Sequence, residues 1–392
     1  MLGSLALMLL AGTILGWGFS KLRLPGLIGM LMAGILLGPH AFNLLDVSIL
    51  NISPDLKTMA LVIILMRAGL SLDINDLKRV GRPAILMCFV PACLEILGMI
   101  IIAPKLLGVS VLDAAIMGAV IGAVSPAVII PKMLYLMENR YGTNKSIPQL
   151  IMAGASVDDV FVIVAFTALI GLAQGNGISS ASLLQIPASI ITGATIGVLL
   201  GIGTSYLIRH LRIRSSIKVL TVLSFAFLLI ALENWTKNTV PFSGLLAVMS
   251  LGITLQKKNG DAAKQLSSSF SKLWIGAEVV LFMLVGAAID LSYAADAGIA
   301  AVVVVLGVLV FRMVGVFFCM LKTELNFKEK VFCMIAYVPK ATVQAAIGSI
   351  PLSLGLSCGN MVLTVAVLAI IITAPLGALG IDITYKRLLR QS

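Results

Sequence analysis

The chain has 392 residues, of which 59% are hydrophobic and only 11% are charged, and its formal net charge is +11. Because soluble domains carry about 25% charged residues, this composition excludes a water-soluble globular protein and predicts an all-α polytopic membrane protein. The positive charge does not require a nucleic acid partner, since basic loops that face the cytoplasm and anionic lipid produce the same excess.

The apolar segments predict about thirteen transmembrane helices. The predicted spans cover residues 2–19, 25–38, 54–72, 83–107, 110–136, 147–174, 181–208, 215–233, 240–256, 270–291, 297–321, 328–354 and 360–380. Lys21 and Arg23 follow the first span instead of preceding it, and basic residues mark cytoplasmic loops. We therefore expect the N-terminus outside and the C-terminus in the cytoplasm, which places most of the 28 Lys and Arg residues in cytoplasmic loops.

Two adjacent acids, Asp158 and Asp159, lie in the middle of the predicted span 147–174. A charge at the centre of a bilayer costs at least about 2.5 kcal/mol, so an acid there predicts an ion or proton site. Successive helical residues point about 100° apart. We therefore expect one carboxylate to bind an ion and the other to face a partner side chain.

Two predicted spans carry a proline at mid-depth, Pro126 in the fifth span and Pro339 in the twelfth. Proline removes a backbone donor and clashes with the preceding turn, so both helices are expected to break. The spans are seven helices apart, an odd displacement that inverts one half of the chain relative to the other. The pattern predicts inverted repeats with two crossed broken helices, as in secondary transporters. Lys340 is expected to neutralise half-helix ends that meet as negative dipoles.

The remaining deep charges are interpreted as structural. Glu95 lies in span 4 and Arg312 in span 11, and these spans are equivalent in the repeat, which predicts an ion pair. Arg67 is expected to pair with Glu278 or to reach the membrane surface, and Glu278 fits an interface position equally well. The 5 cysteines and 2 histidines show no metal-ligand spacing, and no phosphate-binding loop is present, which disfavours a metal cluster and nucleotide binding.

Four motifs in order resemble the monovalent cation/proton antiporter superfamily and, within it, the NHA-type sodium/proton antiporters. They are Arg67-Ala-Gly-Leu, Ala123-Val-Ser-Pro-Ala-Val, Gly154-Ala-Ser-Val-Asp-Asp-Val and Pro339-Lys-Ala-Thr-Val-Gln-Ala-Ala-Ile-Gly. The resemblance implies a homodimer whose protomers have a dimerisation domain and an ion-transporting core domain. The implied domains are residues 1–82 and 213–296 for dimerisation, 175–212 as linker helix 7, and 83–174 and 297–392 as core.

The resemblance also implies roles for the buried charges. Asp159 would be the carboxylate that binds Na+ and carries the proton, with Asp158 assisting. Arg312 stands where electrogenic members carry a lysine that pairs with the first aspartate, whereas in the NHA branch an arginine pairs with the glutamate matched by Glu95. Glu95, Arg312 and Lys340 would form a buried charge network, and the ion stoichiometry stays open. A hard cation needs oxygen ligands, for which the sequence offers the hydroxyls of Ser125, Ser156 and Thr342.

The predicted function is exchange of Na+, or Li+, for H+ by alternating access at the aspartates. It needs no cofactor and no enzymatic activity, and it would serve pH homeostasis in a bacterial inner membrane. A K+ efflux or channel-like system and a sodium-coupled organic anion symporter remain as alternatives on the same scaffold. An intramembrane aspartyl protease is disfavoured, because its two carboxylates share a proton across a cleft and adjacent residues on one helix diverge.

Overall fold

The computed structural model describes residues 1–22, 24–71, 81–174, 180–210, 214–236 and 241–391, and within these ranges it leaves out the side chains of residues 156, 180–187 and 291–297. These residues form helices, and their only β-type pairing is one isolated bridge between Tyr141 and Gln391. In this part of the chain, nine helices are long and apolar enough to cross a membrane. The predicted all-α polytopic membrane fold is confirmed.

The helices are numbered in chain order. They are α1 (Leu2–Lys21), α2 (Gly26–Leu37), α3 (Val47–Asn51), α4 (Ser53–Ser71), α5 (Arg82–Met87), α6 (Val90–Leu107), α7 (Val111–Ile121), α8 (Pro126–Glu138), α9 (Ile147–Gln174), α10 (Ser180–His210), α11 (Ser215–Thr236), α12 (Gly244–Lys258), α13 (Gly260–Ala287), α14 (Leu291–Cys319), α15 (Phe327–Ala336), α16 (Thr342–Ile347), α17 (Ile350–Ser353) and α18 (Gly359–Leu388).

Local side chains fix where several helices begin and end. The Ser110 hydroxyl accepts a hydrogen bond from the Asp113 N–H at 3.1 Å and caps α7. Asn326 and Glu329 form a reciprocal capping box at the beginning of α15. Gly108 ends α6 in the left-handed conformation, with φ +66°. These groups satisfy backbone donors and acceptors that a helix terminus leaves without a partner.

The two helix breaks predicted at prolines are present. The first break, residues 122–125, separates α7 from α8, and the second break, residues 337–341, separates α15 from α16. Pro126 is the first residue of α8, where its missing N–H has no helical partner to lose. The breaks meet directly, because the Ser125 N–H donates to the Pro339 carbonyl at 2.8 Å. This junction is the crossing expected from the inverted repeat.

The predicted span 83–107 differs from the structure, which interrupts it at Cys88 and Phe89 between α5 and α6. The physical reason lies in Pro91, which stands in the first turn of α6. A proline there cannot donate to the Met87 carbonyl four residues earlier, and its ring clashes with that carbonyl, so the helix is interrupted after Met87.

The chain divides into two compact units. The first comprises residues 1–54, 75–162 and 279–392, and the second comprises residues 55–74 and 163–278. In the first unit, α6 packs against α7 and α14, and α18 packs against α7, α8, α14, α15 and α16. In the second unit, α12 packs against α10 and α11. The assignment of dimerisation, linker and core domains remains a prediction.

Candidate functional site

Five charged side chains of the first unit are buried around the two helix breaks. Glu95, Asp158 and Arg312 have no exposed surface, Lys340 is 1% exposed and Asp159 is 4% exposed. They come from four elements: α6, the middle of α9, α14 and the second break. Burying charges at such depth is costly unless each is paired or hydrogen-bonded, so their partners define the site.

Arg312 connects two carboxylates and both breaks. Its Nη1 lies 2.7 Å from Glu95 Oε2, and its Nη2 lies 2.8 Å from Asp158 Oδ2. Nε donates to the Tyr337 carbonyl at 2.9 Å, and Nη1 also donates to the Gly122 carbonyl. The planar guanidinium suits this arrangement, because it offers five donors in a fixed geometry. The sequence pointed to Glu95 as its partner, and the structure adds Asp158.

Lys340 lies at the second break and contacts the first. Its Nζ donates to the Ile121 carbonyl at the last residue of α7. This placement agrees with the expectation that Lys340 neutralises a negative helix end. The ammonium also lies 2.6 Å from Glu95 Oε1, which joins Lys340 to Glu95 and Arg312 in the expected buried charge network. Glu95 therefore pairs with Arg312 through Oε2 and with Lys340 through Oε1.

The two adjacent aspartates point to different partners. Asp158 Oδ2 accepts from the Val124 N–H at 2.8 Å in addition to Arg312. Asp159 forms no ion pair with any described residue, and its Oδ1 is buried without a hydrogen-bond partner among those residues. Asp159 is therefore the site carboxylate that pairs with none of the described bases, which agrees with the divergence expected on one helix.

The three candidate hydroxyl ligands fall in different places. Ser125 is buried in the first break, and its Oγ has no partner among the described residues. Thr342 is buried at the beginning of α16, and no hydrogen bond within the described part of the chain joins it to an aspartate. The side chain of Ser156 lies outside the described residues, so its role remains a prediction.

Two polar residues of the site were missed by the sequence analysis. Gln344 Nε2 donates to the Ala123 carbonyl at 2.8 Å, and Gln344 Oε1 accepts from the Ala341 N–H at 2.8 Å. Thr373 Oγ1 accepts from the Lys340 N–H at 3.0 Å. Both satisfy backbone groups that the breaks release. A signal for Gln344 was available, since it is a polar residue in the apolar segment that follows Pro339, and a buried polar side chain is expected to have a hydrogen-bond partner.

Arg67 and Glu278 belong to the second unit. Both are partly buried, and the two charges lie within electrostatic reach of one another. This placement is consistent with the structural interpretation of the pair.

The charges of the site do not balance. Three carboxylates, Glu95, Asp158 and Asp159, stand against two bases, Arg312 and Lys340. With every group ionised, the buried site carries one net negative charge, which is costly away from water. One further positive charge removes that cost, and either a monovalent cation or a proton supplies it.

Comparisons with known proteins agree with this chemistry. A family profile described as "Sodium/hydrogen exchanger, transmembrane" matches residues 5–387. The chain is 32% identical to "Sodium/hydrogen exchanger 9B2" of Mus musculus over 94% of this chain and 69% of the relative. It is 31% identical to "Sodium/hydrogen exchanger 9B1" of Homo sapiens over 94% of this chain and 73% of the relative.

The fold matches a solved structure. The sodium proton antiporter MjNhaP1 from Methanocaldococcus jannaschii at pH 8 superposes with a TM-score of 0.85 and 23% identity, covering 99% of this chain and 98% of that one. A second structure of the same antiporter gives a TM-score of 0.77. The inverted repeat with crossed broken helices is thus an antiporter fold.

Proposed function

The chain belongs to the sodium/hydrogen exchanger family, and we propose that it exchanges Na+ for H+ at the buried aspartates. The observation that carries the proposal is the single uncompensated negative charge among Glu95, Asp158, Asp159, Arg312 and Lys340. Sodium and a proton each supply the missing charge, and one carboxylate cannot hold both. Competition for Asp159 couples the two fluxes without nucleotide hydrolysis.

Sodium would be held by oxygen atoms. The buried oxygens without partners among the described residues include Asp158 Oδ1, Asp159 Oδ1 and Ser125 Oγ. A hard cation prefers carboxylate, hydroxyl and carbonyl oxygens, and these atoms lie on α9 and on the first break. The hydroxyls of Thr342 and Ser156 complete the proposed set of ligands.

The same charge count explains why transport is coupled. When Asp159 carries Na+ or H+, the site is neutral and can change the side of the membrane to which it opens. When Asp159 is empty, the net negative charge would have to move through a medium of low dielectric constant. That barrier prevents the empty site from returning, so each Na+ movement requires an opposite H+ movement.

The stoichiometry follows from the residues that cannot exchange protons. Arg312 stays protonated in proteins. Lys340 is paired with Glu95 and donates to the Ile121 carbonyl, which favours its charged form. Asp158 is neutralised by Arg312. One proton on Asp159 would therefore be exchanged per Na+, and Li+ would substitute for Na+ because it prefers the same oxygen ligands.

The finer assignments belong to the same proposal. We infer a homodimer with residues 1–82 and 213–296 forming the dimerisation domain, residues 175–212 the linker, and residues 83–174 and 297–392 the core. The resemblance to NHA-type antiporters supports this division. We further infer an N-terminus outside and contact with anionic lipid, based on the distribution of Lys and Arg. The short loops support a bacterial inner membrane location, and a role in pH homeostasis would follow from Na+/H+ exchange.

Proteoliposomes with an internal pH dye test the function. An imposed Na+ gradient should drive proton movement in the opposite direction, and K+ or choline gradients should not. Asp159→Asn should abolish the flux, because an amide neither takes the proton nor supplies the charge. Asp261→Asn, an exposed acid in the first turn of α13, is the matched control and should transport normally. Sodium-driven flux at the normal rate in Asp159→Asn would contradict the assignment, and flux driven by K+ would favour the efflux alternative.

A further inference from the structure

Tyr337 is the fully buried residue that follows α15 at the second break. Its carbonyl accepts from Arg312 Nε at 2.9 Å, and its ring centre lies 5.5 Å from the guanidinium carbon of Arg312. The backbone and the ring of Tyr337 therefore both contact the central base of the site. Its hydroxyl has no hydrogen-bond partner among the described residues.

The hydroxyl of Tyr337 lies against α9 at Gly154. A methyl group at position 154 would overlap the phenolic oxygen and would come within 2.9 Å of Met87 Cβ. Only glycine leaves room for the hydroxyl at this point. Gly154 precedes Asp158 by four residues, which places the two on the same face of α9 one turn apart. The phenol thus lies against the face of α9 that carries Asp158, about one helical turn before that residue.

Among the described residues, Asp158 has one carboxylate oxygen that is free to accept a hydrogen bond from this phenol. Its Oδ2 is held by Arg312 and by the Val124 N–H, whereas its Oδ1 is buried without a partner among the described residues. A phenol can donate a hydrogen bond, and an ionised carboxylate can only accept one. Buried polar atoms without partners are rare and call for an explanation, and here the donor of Tyr337 lies against the same face of α9 that carries the acceptor of Asp158.

We propose that the Tyr337 hydroxyl donates a hydrogen bond to Asp158 Oδ1 during the exchange cycle, directly or through one water molecule. With Oδ2 fixed by Arg312 and Oδ1 fixed by Tyr337, the Asp158 carboxylate cannot rotate, and the cation meets a preformed set of oxygens beside Asp159. Tyr337 is in this view a positioning residue that acts through Asp158. The inference rests on the proposed exchange of Na+ at the two aspartates.

Tyr337→Phe removes only the hydroxyl and keeps both contacts with Arg312. We expect the KM for Na+ to rise about tenfold, as for a lost hydrogen bond to a charged group, while the maximal rate stays within about twofold. The melting temperature in detergent should not fall. Initial rates of proton flux against Na+ concentration give both kinetic values. Tyr385→Phe, in the buried cluster that also contains Tyr337, is the control and should keep the normal KM.

Gly154→Ala tests the same contact from α9. Its methyl should displace the phenol, lower the melting temperature and raise the KM for Na+. Combined with Tyr337→Phe, which removes the overlapping oxygen, part of the lost melting temperature should return, and the KM should equal that of Tyr337→Phe alone. A purely structural role for Tyr337 would change the melting temperature and leave the KM unchanged.

The outcomes separate this inference from the proposed function. A normal KM in Tyr337→Phe would overturn the inference while Na+/H+ exchange stands, and if Tyr337→Phe does not fold, a normal KM in Gly154→Ala would overturn it. Absence of Na+-driven proton flux in the unmodified protein would instead overturn the proposed function.

Discussion

The first break and the second break are related by the inverted repeat, yet they bring different chemistry to the site. The first break and the end of α7 offer mainly backbone atoms, among them the carbonyls of Ile121 and Ala123 and the N–H of Val124. The second break and the beginning of α16 offer side chains, and Lys340 and Gln344 reach those carbonyls. The first break contributes mainly backbone dipoles, whereas the second break and the beginning of α16 also contribute side chains that pair with them.

This difference shows that the inverted repeat determines the course of the backbone but not the positions of the charged side chains. The repeat places two interrupted helices across one another, as the contact between Ser125 and Pro339 demonstrates. It does not place the charges, because Lys340 and Gln344 have no counterparts in the first break, where the sequence is Gly-Ala-Val-Ser. Small residues there allow side chains from α14 and from the second break to approach the backbone. We therefore expect substitutions of these side chains to have larger effects than substitutions in the first break.

The largest effect is expected at Arg312, which holds both breaks at once. Arg312→Ala leaves Asp158 without its base and leaves the carbonyls of Gly122 and Tyr337 without a donor. Removing one member of a buried ion pair costs about 3–5 kcal/mol in the free energy of unfolding. Thermal melting in detergent measures the loss. Arg214→Ala, an exposed arginine before α11, is the control and should melt normally.

A double substitution sharpens this prediction. If Arg312 paired with Glu95 alone, Glu95→Gln combined with Arg312→Ala would restore nearly all of the stability. Because Arg312 also neutralises Asp158, and because Lys340 would lose Glu95, we expect only partial recovery. Full recovery would mean that the contact with Asp158 contributes little.

Gln344 should give the next largest effect, because its amide joins the two breaks without carrying charge. Gln344→Leu leaves the Ala123 carbonyl and the Ala341 N–H unsatisfied, and each buried group without a partner costs about 1–3 kcal/mol. Gln344→Glu should be worse, since a carboxylate would face the Ala123 carbonyl. Melting measurements on both variants test this order. The exposed Gln265 on α13 provides the control Gln265→Leu, and equal melting of Gln344→Leu and the control would contradict the bridging role.

Parts of this site were predictable from sequence because their causes are local. Proline breaks a helix wherever it stands, so Pro126 and Pro339 marked both interruptions, and the cost of buried charge marked Asp158 and Asp159. The partners were harder, because the choice among bases depends on helix register and side-chain reach. Equivalent spans in the repeat suggested Glu95 for Arg312, but no spacing rule shows that Arg312 also reaches Asp158 or that Lys340 reaches Glu95.

A smaller effect is expected in the first break at Ser125, its one polar side chain. The Ser125 hydroxyl is buried and has no partner among the described residues, so Ser125→Ala should not lower the melting temperature. It removes a neutral oxygen ligand, and the KM for Na+ should rise by a few-fold, on the order of 1 kcal/mol. Concentration series of Na+ in proteoliposomes measure the change. A normal KM would remove Ser125 from the set of ligands and confine the side chains of the ion site to other elements.

The last prediction concerns the net charge moved in each exchange cycle, which we expect to be zero. Lys340 is the side chain of the second break that could carry a second proton, since an amine can lose its charge where a guanidinium cannot. Its ammonium lies 2.6 Å from Glu95 and donates to the Ile121 carbonyl at the negative end of α7. Deprotonation would leave the Ile121 carbonyl without a positive partner and would leave Glu95 with Arg312 as its one remaining base among the described residues. We therefore expect Lys340 to remain charged through the cycle.

Exchange should then be electroneutral, with one H+ for each Na+. Measurements on solid-supported membranes should show no Na+-evoked current, and the exchange rate in proteoliposomes should not follow an imposed membrane potential. Asp159→Asn supplies the blank for currents caused by ion binding alone. A Na+-evoked current that disappears in Asp159→Asn would show that a second proton moves. Lys340 would then be its most direct carrier, and the second break would supply a transported charge as well as the groups that hold the first break in place.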